Sequence, residues 1–422
     1  MTAAAASALD PPETVLAAAR DLYRDLHAHP ELSMQEHRTA GIVAASLRDC
    51  GCEVTEAIGG TGVVGVLRNG DGATVLLRAD MDALPVTEAT GLAYASSATG
   101  TDRFGQPTGI AHACGHDMHT ACLLGAVRVL AERRDAWRGT VLAVFQPGEE
   151  TAQGAQAMLE DGLVRRFPRP DVTIAQHLAP APAGSIGWRA GTILAAGDSW
   201  EVTLFGRGAH GSMPHKSIDP VVMAASAVMR LQGIVSREVA MNDAAVVTVG
   251  ALQAGTSDNV IPDRALLRLN VRTFEARVRT RVLAAIRRVL DAEAVASGAP
   301  KPPGYGVLSE FPRTDTDAAC MRRVAAAFAQ RFGSELVRQI PAATASEDFS
   351  LFGAAWDSPV VYWMLGCIDP DRFAAAVQAG TVDELPANHA PDFAPVIEPT
   401  LRTGVMALLT AAAVWLGAGD RA

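Results

Sequence analysis

The chain has 422 residues, more than a single hydrophobic core usually organises, so two domains are expected. Its 49% hydrophobic and 19% charged residues are typical of a packed globular protein. The net charge of -10 argues against a nucleic-acid partner, because binding to phosphate needs clustered Lys and Arg side chains.

The two ends of the chain predict neither export nor membrane insertion. The N-terminal run MTAAAASALDPPE has no basic region, and its apolar part is too short for a signal peptide. Near the C-terminus, VMALLTAAAVWLGAG falls short of the roughly twenty residues that cross a bilayer, so we interpret it as a core helix. The 6 cysteines do not suggest a disulfide framework in a chain of this length, and we expect a cytoplasmic protein with no membrane partner.

The first part of the chain alternates between helix and strand patterns. EHRTAGIVAASLRDCG has apolar residues at helical spacing, and GVVGVLRNGDGATVLLRAD reads as two strands joined by a turn at 69–72. The short apolar runs TVLAVFQ and DVTIAQH suit buried strands and are separated by helical patterns. This alternation predicts an α/β domain with a mixed, largely parallel sheet.

The pattern changes near residue 190. A strand, DSWEVTLFG, precedes a helix started by Asp219 and Pro220, and two strands and a helix over about 276–296 follow. This β-α-β-β-α order is most of a ferredoxin-like split βαβ unit, which a strand near 304–310 would complete. We therefore predict a domain of residues 190–303 inserted into a larger domain formed by 1–189 and 304–422.

The segment HACGHDMHTACLLG concentrates metal-binding side chains ahead of an apolar helix. Cys114 and His116 would point in nearly opposite directions on a helix, so they can converge on one ion only from a loop, and Gly115 gives the backbone that freedom. Asp117 is then expected to cap the helix. Thiolate and imidazole are good ligands for zinc and related ions. Alone, the pattern also fits a free buried cysteine beside exposed histidines.

Further polar residues follow other predicted strands. VFQPGEE ends in adjacent carboxylates, Glu149 and Glu150, of which one could bind a metal while the other serves as a base toward water. A helix first turn rich in glutamate is the plainer interpretation of that pair. LLRADMDALP carries Asp80 and Asp82, and such a carboxylate could orient a ligand histidine.

Two histidines complete the set. His177 ends the predicted strand in IAQHLAP, and His389 lies far away in NHAPDF. Because sites in open α/β sheets form at the carboxyl ends of strands, we expect these groups to meet at one edge of the sheet.

Together these motifs resemble the aminoacylase, hippurate hydrolase and indoleacetyl-amino-acid hydrolase branch of the dinuclear metallopeptidase and amidohydrolase superfamily. The resemblance runs in family order from residue 26 to 393 through LHAHPELSMQEHRTA, LLRADMDALPVTEATGLAYAS, HACGHDMHTACLLGAV, VFQPGEE, GRGAHGSMPHKSIDP, NVIPD, SEDFS and NHAPDF. It implies a zinc-peptidase-like catalytic domain and an inserted ferredoxin-like domain that acts as a lid and often dimerises.

The resemblance also implies roles for individual residues. It implies two divalent ions, zinc or manganese and possibly cobalt, held by Cys114, His116, Glu150, His177 and His389. Cys114 would bridge the two ions as a thiolate. Glu149 would act as general base and proton shuttle. Asp82 would support the metal ligands without binding an ion itself.

Three residues of the inserted domain match substrate-contacting positions of the family. His210 would stabilise the developing oxyanion, in its own subunit or from a partner subunit. Asn259 and Arg272 would hold the carboxylate of the substrate, a task that suits the planar fork of arginine. The roles of His112, His119 and His215 stay open.

The expected activity is metal-dependent hydrolysis of the N-acyl amide bond of a small N-acyl-amino acid, in a homodimer or higher homo-oligomer. One alternative is a dipeptidase or carboxypeptidase on the same site, since a peptide is also an N-acyl-amino acid. A different alternative is a non-enzymatic metal or redox sensor, which would need a closed site with four ligands. A serine hydrolase is disfavoured because the sequence contains no GxSxG motif. The preferred acyl group and amino acid are left open.

Overall fold

The computed structural model describes residues 8–418, which form two compact units. The first unit contains the described residues up to Ile193, Asp315–Pro341 and the residues from Asp348 onward. The second unit contains Leu194–Thr314 and Ala342–Glu347. Of the N-terminal run interpreted as lacking a signal peptide, residues 1–7 lie outside the described part of the chain.

The helices and strands are numbered in chain order. Those before residue 190 are α1 (Glu13–Ala28), α2 (His37–Asp49), β1 (Glu53–Ile58), β2 (Gly62–Asn69), β3 (Thr74–Asp80), β4 (Thr99–Thr101), β5 (Pro107–Gly109), α3 (His116–Glu132), β6 (Trp137–Gln146), α4 (Gly154–Glu160), α5 (Leu163–Arg166), β7 (Val172–Pro182) and β8 (Ile186–Trp188). Those between 190 and 317 are β9 (Gly191–Leu194), β10 (Ala196–Phe205), β11 (Ala209–His210), α6 (Pro220–Glu238), β12 (Ala245–Ala254), β13 (Val260–Ile261), β14 (Arg264–Thr273), α7 (Ala276–Ala296), β15 (Gly304–Phe311) and β16 (Thr314–Thr316). The remainder are α8 (Ala318–Phe332), β17 (Val337–Gln339), α9 (Ser350–Trp356), β18 (Val360–Ile368), α10 (Pro370–Ala379), α11 (Ile397–Ala412) and β19 (Gly417–Ala418).

One mixed sheet organises the first unit. Its strands follow the order β1-β2-β6-β3-β7-β18-β8-β17, and β19 pairs with β6. The central strands β6, β3, β7 and β18 run parallel to one another. Helix α3 packs against β3, and α11 packs against α3 and β18. The predicted mixed, largely parallel sheet is confirmed, and its continuous apolar runs are buried because helices cover them.

The apolar segment near the C-terminus supplies the second half of α11, a helix that is buried along most of its length, as expected for a core helix. Within residues 8–418, no helix combines the length and the apolar character needed to span a membrane.

The second unit has the β-α-β-β-α-β order of a split βαβ fold. Its sheet is antiparallel, in the order β12-β14-β10-β15, and α6 and α7 bury one face of it in a separate core. Asp219 caps α6 by accepting hydrogen bonds from the backbone N–H groups of Val221 and Val222, at 2.8 and 3.4 Å. A domain boundary at residue 303 would leave β15 in the first unit. In the structure β15 pairs along β10 and belongs to the second unit, because strand pairing continues past the Pro/Gly-rich segment.

The start of α3 differs from the expectation. The helix begins at His116 with Gly115 as its N-terminal cap, so Asp117 lies inside the first turn and the predicted cap at Asp117 is wrong. The carboxylate of Asp117 instead contacts Nδ1 of His27 at 2.7 Å, while Nε2 of His27 lies 3.1 Å from Glu88. All three side chains are buried, and they connect α1 to α3.

His27 is held as a cation between these two carboxylates. Burial by itself lowers its pKa, but the hydrogen bonds to Asp117 and Glu88 outweigh burial and raise the pKa of His27 from 6.5 to about 10. A raised histidine pKa stabilises the fold fully below pH 6.5, and this stabilisation is lost as the pH rises through about 10.

We predict that His27→Gln lowers the free energy of unfolding by roughly 3–5 kcal/mol at neutral pH, because it leaves two buried carboxylates without their cation. Urea unfolding at pH 6.5 and at pH 10.5 measures the difference from the wild-type protein, which should shrink at the higher pH. His29→Gln, at a half-exposed histidine on the same helix end, is the matched control and should change little. An equal loss at both pH values would contradict the assigned charge.

Candidate metal centre

Five segments of the first unit bring metal-binding side chains together. Three groups of possible ligands lie entirely in the first unit, and within each group the donor atoms are within 4.8 Å of one another. The groups are Cys114, Glu150 and His389; His116, Glu149 and Glu150; and Asp80, His116, His119 and His177. All five sequence-predicted ligands therefore fall into one connected cluster, together with the predicted base Glu149.

The turn between Cys114 and His116 depends on glycine. Gly115 has a φ of 82°, and a Cβ atom there would lie 2.4 Å from Cδ1 of Leu178. Only glycine adopts this positive φ without strain and leaves room for the side chain of Leu178. The turn lets Cys114 and His116, which bracket the helix start, belong to the same cluster of donors.

The two adjacent glutamates follow β6 in a tight turn. Gly148 has a φ of 55°, and its N–H donates to Oε1 of the buried Glu36 at 2.9 Å. The N–H of Glu150 donates to Oδ2 of Asp82 at 3.0 Å. These backbone contacts fix the turn, so that Glu150 joins Cys114 and His389 while Glu149 lies beside His116.

His177 does not end its strand. The sequence predicted a strand end at this residue, but β7 continues to Pro182, because β18 pairs alongside it and places Met364 opposite His177. The pairing of β7 with β3, however, stops at Ala175. His177 therefore lies beyond the part of β7 that pairs with β3. Its Nδ1 lies 2.7 Å from the carbonyl oxygen of Leu178, and its Nε2 lies 3.5 Å from Sγ of Cys114.

His389 reaches the cluster from the far end of the sequence. Its backbone adopts a left-handed φ of 73°, and its N–H donates to the carbonyl oxygen of Ala113 at 2.7 Å. This backbone bond ties the segment to the Cys114 turn. The side chain approaches Glu150, with Nε2 3.4 Å from Oε1.

Two buried aspartates orient the histidines of α3. Oδ1 of Asp82 lies 3.2 Å from Nδ1 of His116, which leaves Nε2 of His116 for the cluster. Asp80 lies 2.6 Å from Nδ1 of His119, and Nε2 of His119 accepts the N–H of Leu178 at 2.9 Å. His119 thus has both ring nitrogens occupied by protein groups and positions the strand that carries His177.

The other two histidines of open role lie elsewhere. His112 is fully buried, and burial lowers its pKa to about 4, so it is a neutral side chain. His215 lies in an exposed short turn of the second unit, Pro214–Lys216.

Buried charges shape the site. Burial and then the nearby carboxylates of Glu150 and Glu149 raise the pKa of the Cys114 thiol well above its usual range. Burial alone would raise the pKa of Glu150, but His389 and His116 lower it to about 2. Burial also lowers the pKa of His177 to about 3, which keeps this imidazole neutral. A neutral imidazole and ionised carboxylates are the forms that bind metal ions, and a bound cation also deprotonates a thiol.

The donor atoms fit divalent metal ions. Nε2 of His116 and Oε1 of Glu150 are buried and make no hydrogen bond to any residue in the described range 8–418. Buried polar atoms normally make hydrogen bonds, so two such atoms that lie 3.8 Å apart and have only ion-pair contacts of 3.4 Å or longer indicate a missing partner. A cation satisfies both, and the mixture of sulfur, nitrogen and oxygen donors suits a first-row metal.

The predicted substrate-binding residues belong to the second unit. His210 lies on β11 and pairs with Val260, and Nδ1 of His210 accepts the N–H of Ser212 at 3.1 Å. Asn259 neighbours that strand pair and accepts the N–H of Gly211 through its carbonyl oxygen. Arg272 lies on β14, where its guanidinium donates to the side chains of Asn270 and Ser346.

Several supporting residues were not predicted from the sequence. For Asp80 the sequence predicts only that it or Asp82 could orient a ligand histidine, and it gives no role to Arg78, which lies 2.6 Å from Asp80. The charge of Arg78 within a buried apolar strand is the signal that could have found this pair. Asn388 donates toward Sγ of Cys114 at 3.7 Å, and only its position next to His389 hints at that. Nothing in the sequence marks Glu36 as the acceptor for Gly148.

Known proteins match this chain over most of its length. The family model for peptidase family M20/M25/M40 matches residues 76–384. The N-acetylcysteine deacetylase of Bacillus subtilis is 37% identical over 343 residues, which are 79% of this chain and 84% of the relative. The hippurate hydrolase of Campylobacter jejuni is 41% identical over 256 residues, which are 60% of this chain and 64% of the relative. The crystal structure of the Bacillus subtilis YXEP protein, described as a dinuclear metal binding peptidase, aligns with a TM-score of 0.70 and 30% identity over 96% of this chain and 99% of that one.

We predict that Gly115→Ala weakens metal binding by about tenfold or more, because a Cβ would push against Leu178 and displace the two flanking ligands. Isothermal titration with zinc measures the change. Gly91→Ala is the matched control, since Gly91 has a similar φ of 70° but open space around its Cβ position. If the two variants bound zinc equally well, the turn at Gly115 would not position the site.

Proposed function

The chain belongs to peptidase family M20/M25/M40, and we propose that it is a metal-dependent amidohydrolase that cleaves the N-acyl amide bond of N-acyl-amino acids. The products are a carboxylic acid and a free amino acid. The observation that carries the proposal is the buried cluster of Cys114, Glu150 and His389 with a second carboxylate, Glu149, beside it. The names of the deacetylase and hippurate hydrolase relatives support acyl-amino acids as the substrate class.

Two divalent ions are assigned to the cluster, with Cys114, His116, Glu150, His177 and His389 as ligands. Five protein donors exceed the four that one tetrahedral ion takes, which supports two ions. Cys114 would help to hold both ions, because its Sγ lies near His177 on one side and groups with Glu150 and His389 on the other. Bound ions of this kind polarise a carbonyl group and lower the pKa of water. Zinc, manganese and cobalt all suit these donors.

Glu149 carries the proton in this proposal. As a carboxylate it accepts a proton from the attacking water, and it returns that proton to the amide nitrogen as the bond to the acyl carbon breaks. Its position next to His116 and Glu150 supports this role, because it places a second carboxylate beside two of the proposed ligands. Asp82 keeps His116 oriented and holds the N–H of Glu150, so it acts through these two residues.

Two alternatives share parts of this site. A dipeptidase or carboxypeptidase would use the same groups. Peptidase activity is the second candidate function, because the YXEP protein is described as a peptidase. A metal or redox sensor needs a closed site, and it would leave Glu149 without a task. The enzyme proposals account for both glutamates.

The second unit is proposed to supply substrate contacts and the dimer interface. Because Nδ1 of His210 accepts a hydrogen bond from Ser212, its proton is on Nε2, as a donor to an oxyanion requires. Asn259 and Arg272 are proposed to bind the substrate carboxylate. Strand β12 is an edge of its sheet, and it exposes Val246 and Leu252, a surface on which a second copy could pair. The cytoplasmic location stays a prediction.

We predict that Glu149→Gln keeps its metals and loses most of its turnover, with the loss in kcat, because it removes proton transfer and no ligand. Glu150→Gln should lose metal affinity as well. The test measures amino-acid release from a panel of N-acyl-amino acids and dipeptides, before and after chelation and metal return, with metal content measured for each variant. Chelator-resistant turnover, or normal turnover in Glu149→Gln, would overturn the proposed roles.

We predict that His210→Ala lowers kcat by about 10²–10³-fold without loss of metal, the cost of one oxyanion donor. His215→Ala, at another exposed histidine of the second unit, is the control and should stay active. Mixing His210→Ala with Glu149→Gln protein tests whether the histidine serves a partner's site, since heterodimers would then regain activity. A fully active His210→Ala variant would remove His210 from the mechanism.

A further inference from the structure

A pocket with a volume of about 240 Å³ opens beside Glu150 in the first unit. Its apolar wall consists of Leu32, Leu84, Pro85 and Phe104. These residues come from the segment after α1, the segment after β3 and the tip of the β4–β5 hairpin. The pocket therefore begins at a proposed metal ligand and extends over an apolar surface that the mechanism above does not use.

Leu32 of the pocket wall also belongs to a small hydrophobic cluster separate from the main core. Leu32, Ala83 and Ile110 are buried together in it. The hairpin packs closely on this cluster, since a Cβ at Gly100 would lie 2.9 Å from Cδ1 of Ile110 and 3.7 Å from Cδ1 of Leu32. The close contact holds the hairpin against the pocket.

Phe104 is held at the hairpin tip by the hydrogen bonds of its turn. Oδ1 of Asp102 accepts the backbone N–H groups of Phe104 and Gln106, each at 2.8 Å, which fixes the turn. The ring is 39% exposed, and the guanidinium of Arg103 lies 5.0 Å from its centre. An aromatic ring fixed by a turn at the mouth of a pocket is suited to contact with a ligand.

The charges around the pocket indicate which end of the substrate it takes. Its lining contains two carboxylates, Asp102 and Glu150, and one cation, Arg103, which is placed over an aromatic ring. Because Glu150 is assigned to the metal ions, Asp102 and Arg103 are left to offset each other, so the pocket wall offers no net positive charge to the carboxylate of the amino-acid part. A neutral apolar group is favoured, and in an N-acyl-amino acid that is the acyl group.

We propose that this pocket binds the acyl group of the substrate and selects a phenyl-sized apolar acyl group over acetyl. The inference rests on the proposed function, because it assigns one end of the same substrate. An apolar cavity of about 150 Å³ already holds benzene, so a pocket of about 240 Å³ accepts an aryl or comparable aliphatic group. An acetyl group would leave most of the apolar wall uncovered. Leu84 and Phe104 are the specificity-determining residues.

The test compares kcat/KM for N-benzoyl and N-acetyl derivatives of one amino acid, with the metal-loaded protein. The wild-type protein should prefer the benzoyl substrate. Leu84→Trp fills the pocket and should lower the benzoyl-to-acetyl ratio by about tenfold or more, the size of effect that pocket contacts produce. Phe104→Ala removes the aromatic wall and should lower the ratio as well. Leu336→Trp makes the same substitution at a partly exposed leucine outside the pocket and should keep the wild-type ratio.

A binding measurement separates this inference from turnover. In a Glu149→Gln background, isothermal titration with the N-benzoyl-amino acid should show weaker binding once Leu84→Trp is added. If both substrates are hydrolysed but neither pocket variant changes the benzoyl-to-acetyl ratio or the affinity, the inferred acyl pocket is overturned while the proposed function stands. A wild-type preference for acetyl would overturn its inferred size. Release of no amino acid from either substrate by the wild-type protein would overturn the proposed function and this inference with it.

Discussion

Buried negative charge around the start of α3 is the constraint on which the rest of the site depends. Asp82, Glu149 and Glu150 lie next to a thiol and three imidazoles, with little water to stabilise their charge. Charges are buried in proteins only when they are paired or bind metal. Within the described residues, the nearby Asp80 is paired with Arg78 and His119, whereas Nε2 of His116 and Oε1 of Glu150, 3.8 Å apart, make no hydrogen bond. The first unit is thus organised around a position for cations.

The surrounding structure keeps these donors apart from one another and in place. A buried carboxylate, Glu36, holds the glutamate turn through Gly148, and a glycine turn holds the two ligands at the start of α3. The backbone of His389 is tied to Ala113, so residues nearly three hundred positions apart share one site. Holding donors in advance reduces the reorganisation needed when an ion or a substrate binds.

Much of the fold and of the ligand set could be predicted from the sequence, for identifiable reasons. The spacing of Cys114 and His116 predicts a loop, because two residues at this spacing cannot reach one ion from a helix. Apolar runs predict buried parallel strands. The errors arose where tertiary contacts override local patterns. β7 continues past His177 because β18 pairs alongside it. Asp117 contacts His27, ninety residues away in sequence, and does not cap the helix. The supporting roles of Glu36 and Asn388 depend on contacts across the chain, and no local pattern encodes them.

The most direct test of the central claim is a crystal structure of the metal-loaded protein with anomalous diffraction recorded on both sides of the absorption edge of the metal. We expect two peaks at the cluster, both within bonding distance of Sγ of Cys114, roughly 2.3 Å if the ion is zinc. Glu150, His116, His177 and His389 should complete the two coordination spheres, while Glu149 should contact no ion. A single peak, or two peaks that do not share Cys114, would contradict the central claim.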